Sequence, residues 1–189
     1  MLYVLLLVLL SAPTLVPSSS THSPRWLVKT LADADTVHVR FDSIVRSTIR
    51  EQRSLPAAEV GGGTRRLASE TTCYEITCDL IAIKRELDGD YHLVVQEPDT
   101  LLLMIFELPN PELPEVAATS RAHLYAEAKR FIDSVAGDPP LLIERRLKKP
   151  IRLTFTGIGF YDTRHLIPQM GMLPNRRELH PILSVRSGE

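Results

Sequence analysis

Three carboxylate–histidine pairs are the residues of this chain most suited to chemistry: Asp90 with His92, Asp162 with His165, and Glu178 with His180. A carboxylate beside an imidazole can ligate a divalent metal or divide the roles of acid and base in a proton transfer. In an extended chain, residues two apart share a face, so Asp90 and His92 project together, and so do Glu178 and His180. All six are candidate catalytic groups. His92, His180, Asp90 and Glu178 are the candidate metal ligands. The ordinary alternative is structural, because buried imidazoles and carboxylates must find hydrogen-bond partners and commonly pin loops and strands together.

A second set could bind rather than react. Arg145, Arg146, Lys148 and Lys149 form a basic run around Leu147, and Tyr91 and Tyr161 are rings on which a base could stack. Cations tracking phosphates beside stacked aromatics are the equipment of a single-strand groove. Against it, such a run is usually a solvated face and strand aromatics are usually core. The net charge is −1, from 22 basic and 23 acidic residues, so no bulk field draws the chain toward nucleic acid or anionic lipid. Gly61-Gly62-Gly63 is not a phosphate loop, since no GK[ST] follows it.

The elements that position these residues centre on Tyr74–Pro109. Strand-like runs at Tyr74–Ile83, Tyr91–Gln96 and Thr100–Leu108 are separated by Asp88-Gly89-Asp90 and Glu97-Pro98-Asp99, both turn chemistry. The expectation is a three-stranded antiparallel meander. The second face of Tyr74–Ile83 begins polar and turns apolar, which suits a strand bending around a small barrel. Between Pro114 and Gly137 the period becomes helical, with Leu124, Ala128, Phe131, Ile132 and Val135 on one face. Gly137 and Pro139-Pro140 end that helix. A strand follows at Ile151–Tyr161, where Gly157 and Gly159 mark a bulge, a corner or a close approach. A loop over Asp162–Arg177 and a last strand at Leu179–Val185 complete the order. Upstream, Thr36–Phe41 alternates as a strand, and a short helix opened by Asp42 or Ser43 is expected to follow.

The expected fold class is mainly β (α+β by content): an OB-like five-stranded barrel with one helix between strands 3 and 4. Residues 71–186 form that domain, and 26–70 carry the N-terminal strand, the short helix and a Gly-rich connector. Leu2–Leu10 is an apolar run too short to span a bilayer as a helix but suited to an export signal. Residues 1–18 are therefore read as a signal peptide, and 19–25, rich in Ser and Pro, as a flexible spacer. Cys73 and Cys78 lie five apart, so in a strand their Cα atoms stand roughly 16 Å apart, whereas a disulfide needs about 4.4–6.8 Å. Free thiols are expected.

The segments Asp88–Asp99 (DGDYHLVVQEPD), Met104–Pro111 (MIFELPNP) and Gly157–Leu183 (GIGFYDTRH…GMLPNRRELHPIL) resemble a group of uncharacterised, mostly exported bacterial proteins. Their shared words are DGDxHLVL, EIPxP and GxGFFDxxH…PNxxELHPVL. The resemblance implies an exported protein of OB-like fold and no particular activity. The DGD turn is also similar to that of the staphylococcal-nuclease type of OB barrel, but Tyr91 replaces its Thr and no matching arginine and glutamate arrangement follows. The expectation is thus an exported, monomeric, non-catalytic binding module with no required cofactor, its ligand a single-stranded nucleic acid or an oligosaccharide. The alternative is a metal-dependent hydrolase, phosphodiesterase or nuclease-like, using the Asp/His/Glu cluster with a divalent metal.

Overall fold

A computed structural model describes residues 22–188 of the chain. The expected signal peptide and residues 19–21 of the spacer lie outside the described residues. The rest of that spacer enters a helix, α1 (Pro24–Lys29). Ser23 opens it, its side chain accepting from the Trp26 amide at 3.2 Å, and proline fits the first turn, where no intrahelical N–H bond is needed.

The next segment departs from the sequence reading. Ala34–His38 is a 3-10 turn, the strand β1 occupies Arg40–Arg46, and the short helix α2 begins at Ile49 and runs to Ser54. Neither Asp42 nor Ser43 opens that helix. Thr48 does, through a capping box: its hydroxyl accepts from the Glu51 amide at 3.1 Å, and the Glu51 carboxylate accepts from the Thr48 amide at 2.9 Å. Asp42 and Ser43 are instead held extended, because β1 runs parallel to the start of the next strand, β2 (Thr72–Arg85), with Ile44 opposite Cys73 and Val45 opposite Tyr74.

The remaining strands are β2 (Thr72–Arg85), β3 (Tyr91–Gln96), β4 (Leu103–Leu108), β5 (Arg145–Tyr161) and β6 (Arg177–Ser187). They form a six-stranded mixed sheet in the order β1-β2-β3-β4-β6-β5, and a further pairing of β2 with β5 closes a ring of strands. The expected meander of β2, β3 and β4 is present and antiparallel. Gly89 turns its first hairpin at φ +86°, a conformation costly for a side chain. The sixth strand, β1, is the upstream strand, shifted from the expected Thr36–Phe41 to Arg40–Arg46 and paired on the outside of the ring. β2 can serve three partners because it is long and irregular between Leu80 and Ala82, where its register shifts against both β3 and β5. The buried face moves from Ile76, Cys78 and Leu80 to Ile83 across that shift, as the change of face in the sequence implied.

Between β4 and β5 a single turn, α3 (Pro114–Ala117), precedes the main helix α4 (Ala122–Ala136), which buries Tyr125, Ala128 and Ile132. Helix and ring share one core, in which Leu93, Phe106, Phe155 and Leu179 meet. Cys73 and Cys78 are free and buried there. Among the described residues no helix is long and apolar enough to cross a membrane.

Candidate functional site

On β3 and β4 the core residues Tyr91, Leu93, Phe106 and Leu108 alternate with His92 and Glu107, so the latter point away from the core. On β6, Leu179 is core and meets Phe106, so Glu178 and His180 share the outer face with Glu107. This face is covered rather than bare. Gly171, in the loop after β5, packs on Val94 and Ile105, and Lys29 reaches over from the end of α1. His92, His180, Asp90 and Glu178 are consequently all buried.

Glu107 organises the cluster. His92 Nδ1 lies 2.9 Å from its Oε1, and His180 Nδ1 lies 3.1 Å from its Oε2, the second contact out of line for a hydrogen bond. Lys29 Nζ lies 2.9 Å from both Asp90 Oδ2 and Asp88 Oδ2. Asp90 also braces the chain after β4, its Oδ1 accepting from the Asn110 amide at 2.8 Å. His180 Nε2 is 3.9 Å from Asp90 Oδ2. Beyond His92 stands Glu86, 3.6 Å from its Nδ1 and 2.8 Å from Lys84 Nζ.

Burial opposes the charge on Glu107, but the facing His180 and His92 and the nearby Lys29 outweigh it and hold the carboxyl well below the usual range. Burial, then the charges of Glu107 and Asp162, push Glu178 well above it. Burial raises Asp90 as well, against the pull of Lys29 and His180. An ionised Glu107 only accepts hydrogen bonds, so His92 Nδ1 is the donor in the bond between them. The Nε2 atoms of His92 and His180 are both buried without a hydrogen-bond partner.

The cluster forms one wall of an open cleft of about 330 Å³, whose lining includes Lys29, Glu86, Asp88, Glu107, Asp162, His165, Glu178 and His180. Asp162 and His165 contact each other at its edge, carboxylate to ring nitrogen. All six residues singled out for chemistry thus converge on one region. Two triads there, Asp90–Glu107–His180 and Glu86–His92–Glu107, present ligand atoms within 4.8 Å of one another and could hold a metal ion. Among the four expected metal ligands, Glu178 belongs to neither triad; Glu107 takes its place.

The sequence reading missed Glu107, Lys29 and Glu86. Glu107 was within reach, since continuing the β3–β4 ladder from Gln96 and Leu103 sets it opposite His92. Lys29 carried no local signal, because only the packing of α1 brings it to the cluster.

The expected binding groove is not assembled. Tyr91 is inside the ring, its hydroxyl donating to Asp133 at 2.8 Å, and Tyr161 is buried with its hydroxyl donating to the Pro56 carbonyl at 2.7 Å. Neither ring is presented to a base. Arg145 caps α4 through the carbonyls of Ala136 and Gly137, at 2.6 and 2.9 Å, and Arg146 lies against Met170. Lys148 and Lys149 are exposed. No known protein family, curated protein or solved structure compared with the chain matches it.

Proposed function

We propose that this protein is an exported, non-catalytic binding module on an OB-like barrel, and that its ligand is an oligosaccharide held in the acidic cleft. The ring order β2-β3-β4-β6-β5, closed on β2 with α4 between the third and fourth ring strands, supports the barrel reading. The apolar run at Leu2–Leu10 supports export. The observation that carries the ligand class is the lining of the cleft, with carboxylates at Glu86, Asp88, Glu107, Asp162 and Glu178 against the single lysine Lys29. Such a surface repels phosphodiesters and offers many acceptors to hydroxyl groups. Its volume sits at the lower end of small-molecule sites, about 300–1,000 Å³, which suits one or two sugar units of a longer chain.

The three segments that resemble exported bacterial proteins also line the cleft: Asp88 from the first, Glu107 from the second, and Asp162, His165, Glu178 and His180 from the third. Screening the mature protein against immobilised glycans, with Asp162→Ala and Glu178→Gln as controls, tests the reading. Saturable binding weakened by both changes is expected. Retention of single-stranded DNA in place of any glycan, falling steeply with salt, would overturn it.

A second reading, a metal-dependent hydrolase, is favoured by the unpartnered Nε2 atoms of His92 and His180 beside buried carboxylates. Imidazole and carboxylate together suit zinc or manganese. Turnover of a phosphodiester with added Zn²⁺ or Mn²⁺, abolished by His180→Ala, would replace the binding-module reading.

A further inference from the structure

Arg177, the first residue of β6, is among the largest side chains wholly enclosed in the protein, with 1% of its surface exposed. A guanidinium is permanently charged, and enclosing it without a counter-charge is costly. No carboxylate lies within ion-pair distance of Arg177 among the described residues. Glu70, next to one of its partners, is committed to Arg25, and Glu178, its neighbour in sequence, faces the acidic cleft instead.

The partners Arg177 does have are neutral. Its Nε donates to Gln52 Oε1 at 2.8 Å, and its Nη2 lies 3.3 Å from the Ser69 carbonyl and 3.4 Å from the Tyr74 hydroxyl. The Tyr161 and Tyr74 rings stand 4.8 and 5.5 Å from its Cζ. Its Nη1 is buried with no hydrogen-bond partner. The fold has made room for this side chain, since a Cβ at Gly159 would collide with the guanidinium.

Arg177 lines a second cleft of about 370 Å³, separate from the acidic one. Arg40, Leu55, Pro56, Tyr74 and Tyr161 line it too, and the lining includes two arginines and no carboxylate. Arg40 is exposed and bonded to the Thr72 hydroxyl at 2.7 Å, so it adds positive charge at the mouth.

We propose that this cleft is a binding site for an oxyanion, a phosphate or carboxylate group of a small ligand, with Arg177 as its anchor and Arg40 as a second, outer cation. An oxyanion would supply both the missing acceptor for Nη1 and the missing counter-charge. Arginine's planar fork matches two oxygens of such a group, which a lysine cannot do. The site is independent of the saccharide reading, because it shares no lining residue with the acidic cleft.

Calorimetric titration of the purified protein with inorganic phosphate, and separately with acetate, tests the proposal alongside the NMR resonance of the Arg177 Nε–H group. Saturable binding of one anion per chain with movement of that resonance is expected. Phosphate alone saturating assigns a phosphoryl ligand; acetate saturating assigns a carboxylate. Arg177→Lys should weaken binding about tenfold or more, since charge is kept and the fork is lost. Arg40→Ala, at an exposed position that leaves folding intact, should weaken it by about threefold through lost attraction. Absence of saturable binding of either anion to the wild type, or unchanged affinity in Arg40→Ala and a folded Arg177→Lys, would overturn the proposal.

Discussion

His92 and Glu107 stand directly opposite each other in the β3–β4 ladder, Nδ1 2.9 Å from Oε1. The other oxygen of the same carboxylate lies 3.1 Å from His180 on β6, so three strands meet at one side chain. This matters because β4 and β6 share only one register pair, Phe106 with Leu179, where the ring closes. Side-chain contacts supplement a short backbone ladder at that seam. Glu107→Ala strips His92 of its acceptor and His180 of the carboxylate it faces, and should cost about 2–4 kcal/mol in urea unfolding. Glu107→Gln keeps one acceptor oxygen and should cost less. Equal stability of Glu107→Ala and wild type would mean that the backbone ladder alone holds the seam.

Lys29 already places a cation 2.9 Å from Asp90 Oδ2, where an ion shared with His180 Nε2 would have to bind. A metal at Asp90 and His180 must therefore compete with this ammonium. Lys29→Met should lower the thermal midpoint without metal, by leaving Asp90 uncompensated, and Zn²⁺ or Mn²⁺ should restore it. At a free concentration about 100 times the dissociation constant, the gain is about 2.7 kcal/mol, and it should exceed that of the wild type. Failure of either ion to stabilise Lys29→Met would remove the metal reading of this triad.

The parts of the fold legible in the sequence were those with strong local signals. The three meander strands, the Gly89 turn and the helix ending at Gly137 follow from alternation, turn residues and helical period. β1 was misplaced because its seven residues are almost all exposed and carry no buried–exposed alternation, while its position is set by pairing with β2. In the cluster, Asp90 with His92 and Glu178 with His180 were legible from their spacing of two. Lys29 was not, since 61 positions separate it from Asp90. The basic run was legible as charge but not as function, because nothing local reveals that Arg145 turns back to cap α4 while Tyr91 turns into the core.

Arg145 and its neighbours should therefore separate by stability rather than by binding. Arg145→Ala removes two hydrogen bonds to carbonyls at the end of α4 and should destabilise by about 1–2 kcal/mol. Lys148→Ala and Lys149→Ala, at exposed positions, should stay within about 0.5 kcal/mol of wild type. Chemical unfolding of the three variants checks this. A loss at Lys148 or Lys149 matching that at Arg145 would contradict the capping role.

Burial pushes the Cys73 thiol up to about 11, against the charge of Arg121; burial, reinforced by Asp79, places Cys78 well above its ordinary value. An unfolded thiol ionises near about 8.5. Because the folded values are raised, the stabilising contribution of these thiols is complete below that pH and is lost as pH rises toward the folded values. At pH 8 neither cysteine should react with a thiol reagent in the native state, and both should react in urea. The urea midpoint should fall between pH 8 and pH 10 in wild type and less so in Cys73→Ala. Rapid labelling of the native protein at pH 8 would contradict the burial of both.

Arg25 anchors α1, and with it Lys29, to the ring. Its Nη1 lies 2.9 Å from Glu70 Oε2, its Nη2 contacts Glu70 Oε1, and its Nε donates to the Tyr161 carbonyl at 3.1 Å. Glu70 is wholly buried and also accepts from the amides of Tyr161 and Leu67, at 2.8 and 2.9 Å. Removing the arginine leaves that carboxylate with hydrogen bonds but no counter-charge. Arg25→Met should thus cost about 3–5 kcal/mol, the range for breaking one half of a buried pair. In Arg25→Met/Glu70→Gln the stranded charge is gone, so the double variant should be more stable than Arg25→Met alone and the two changes should be coupled by more than about 1 kcal/mol. Limited proteolysis gives the local readout: cleavage near Thr30–Ala32 should accelerate in Arg25→Met, since the helix loses its tie to Glu70 and Tyr161. If Arg25→Met unfolds at the wild-type urea concentration and resists the protease equally, the α1 helix is held by its apolar contacts at Val28 and not by this ion pair.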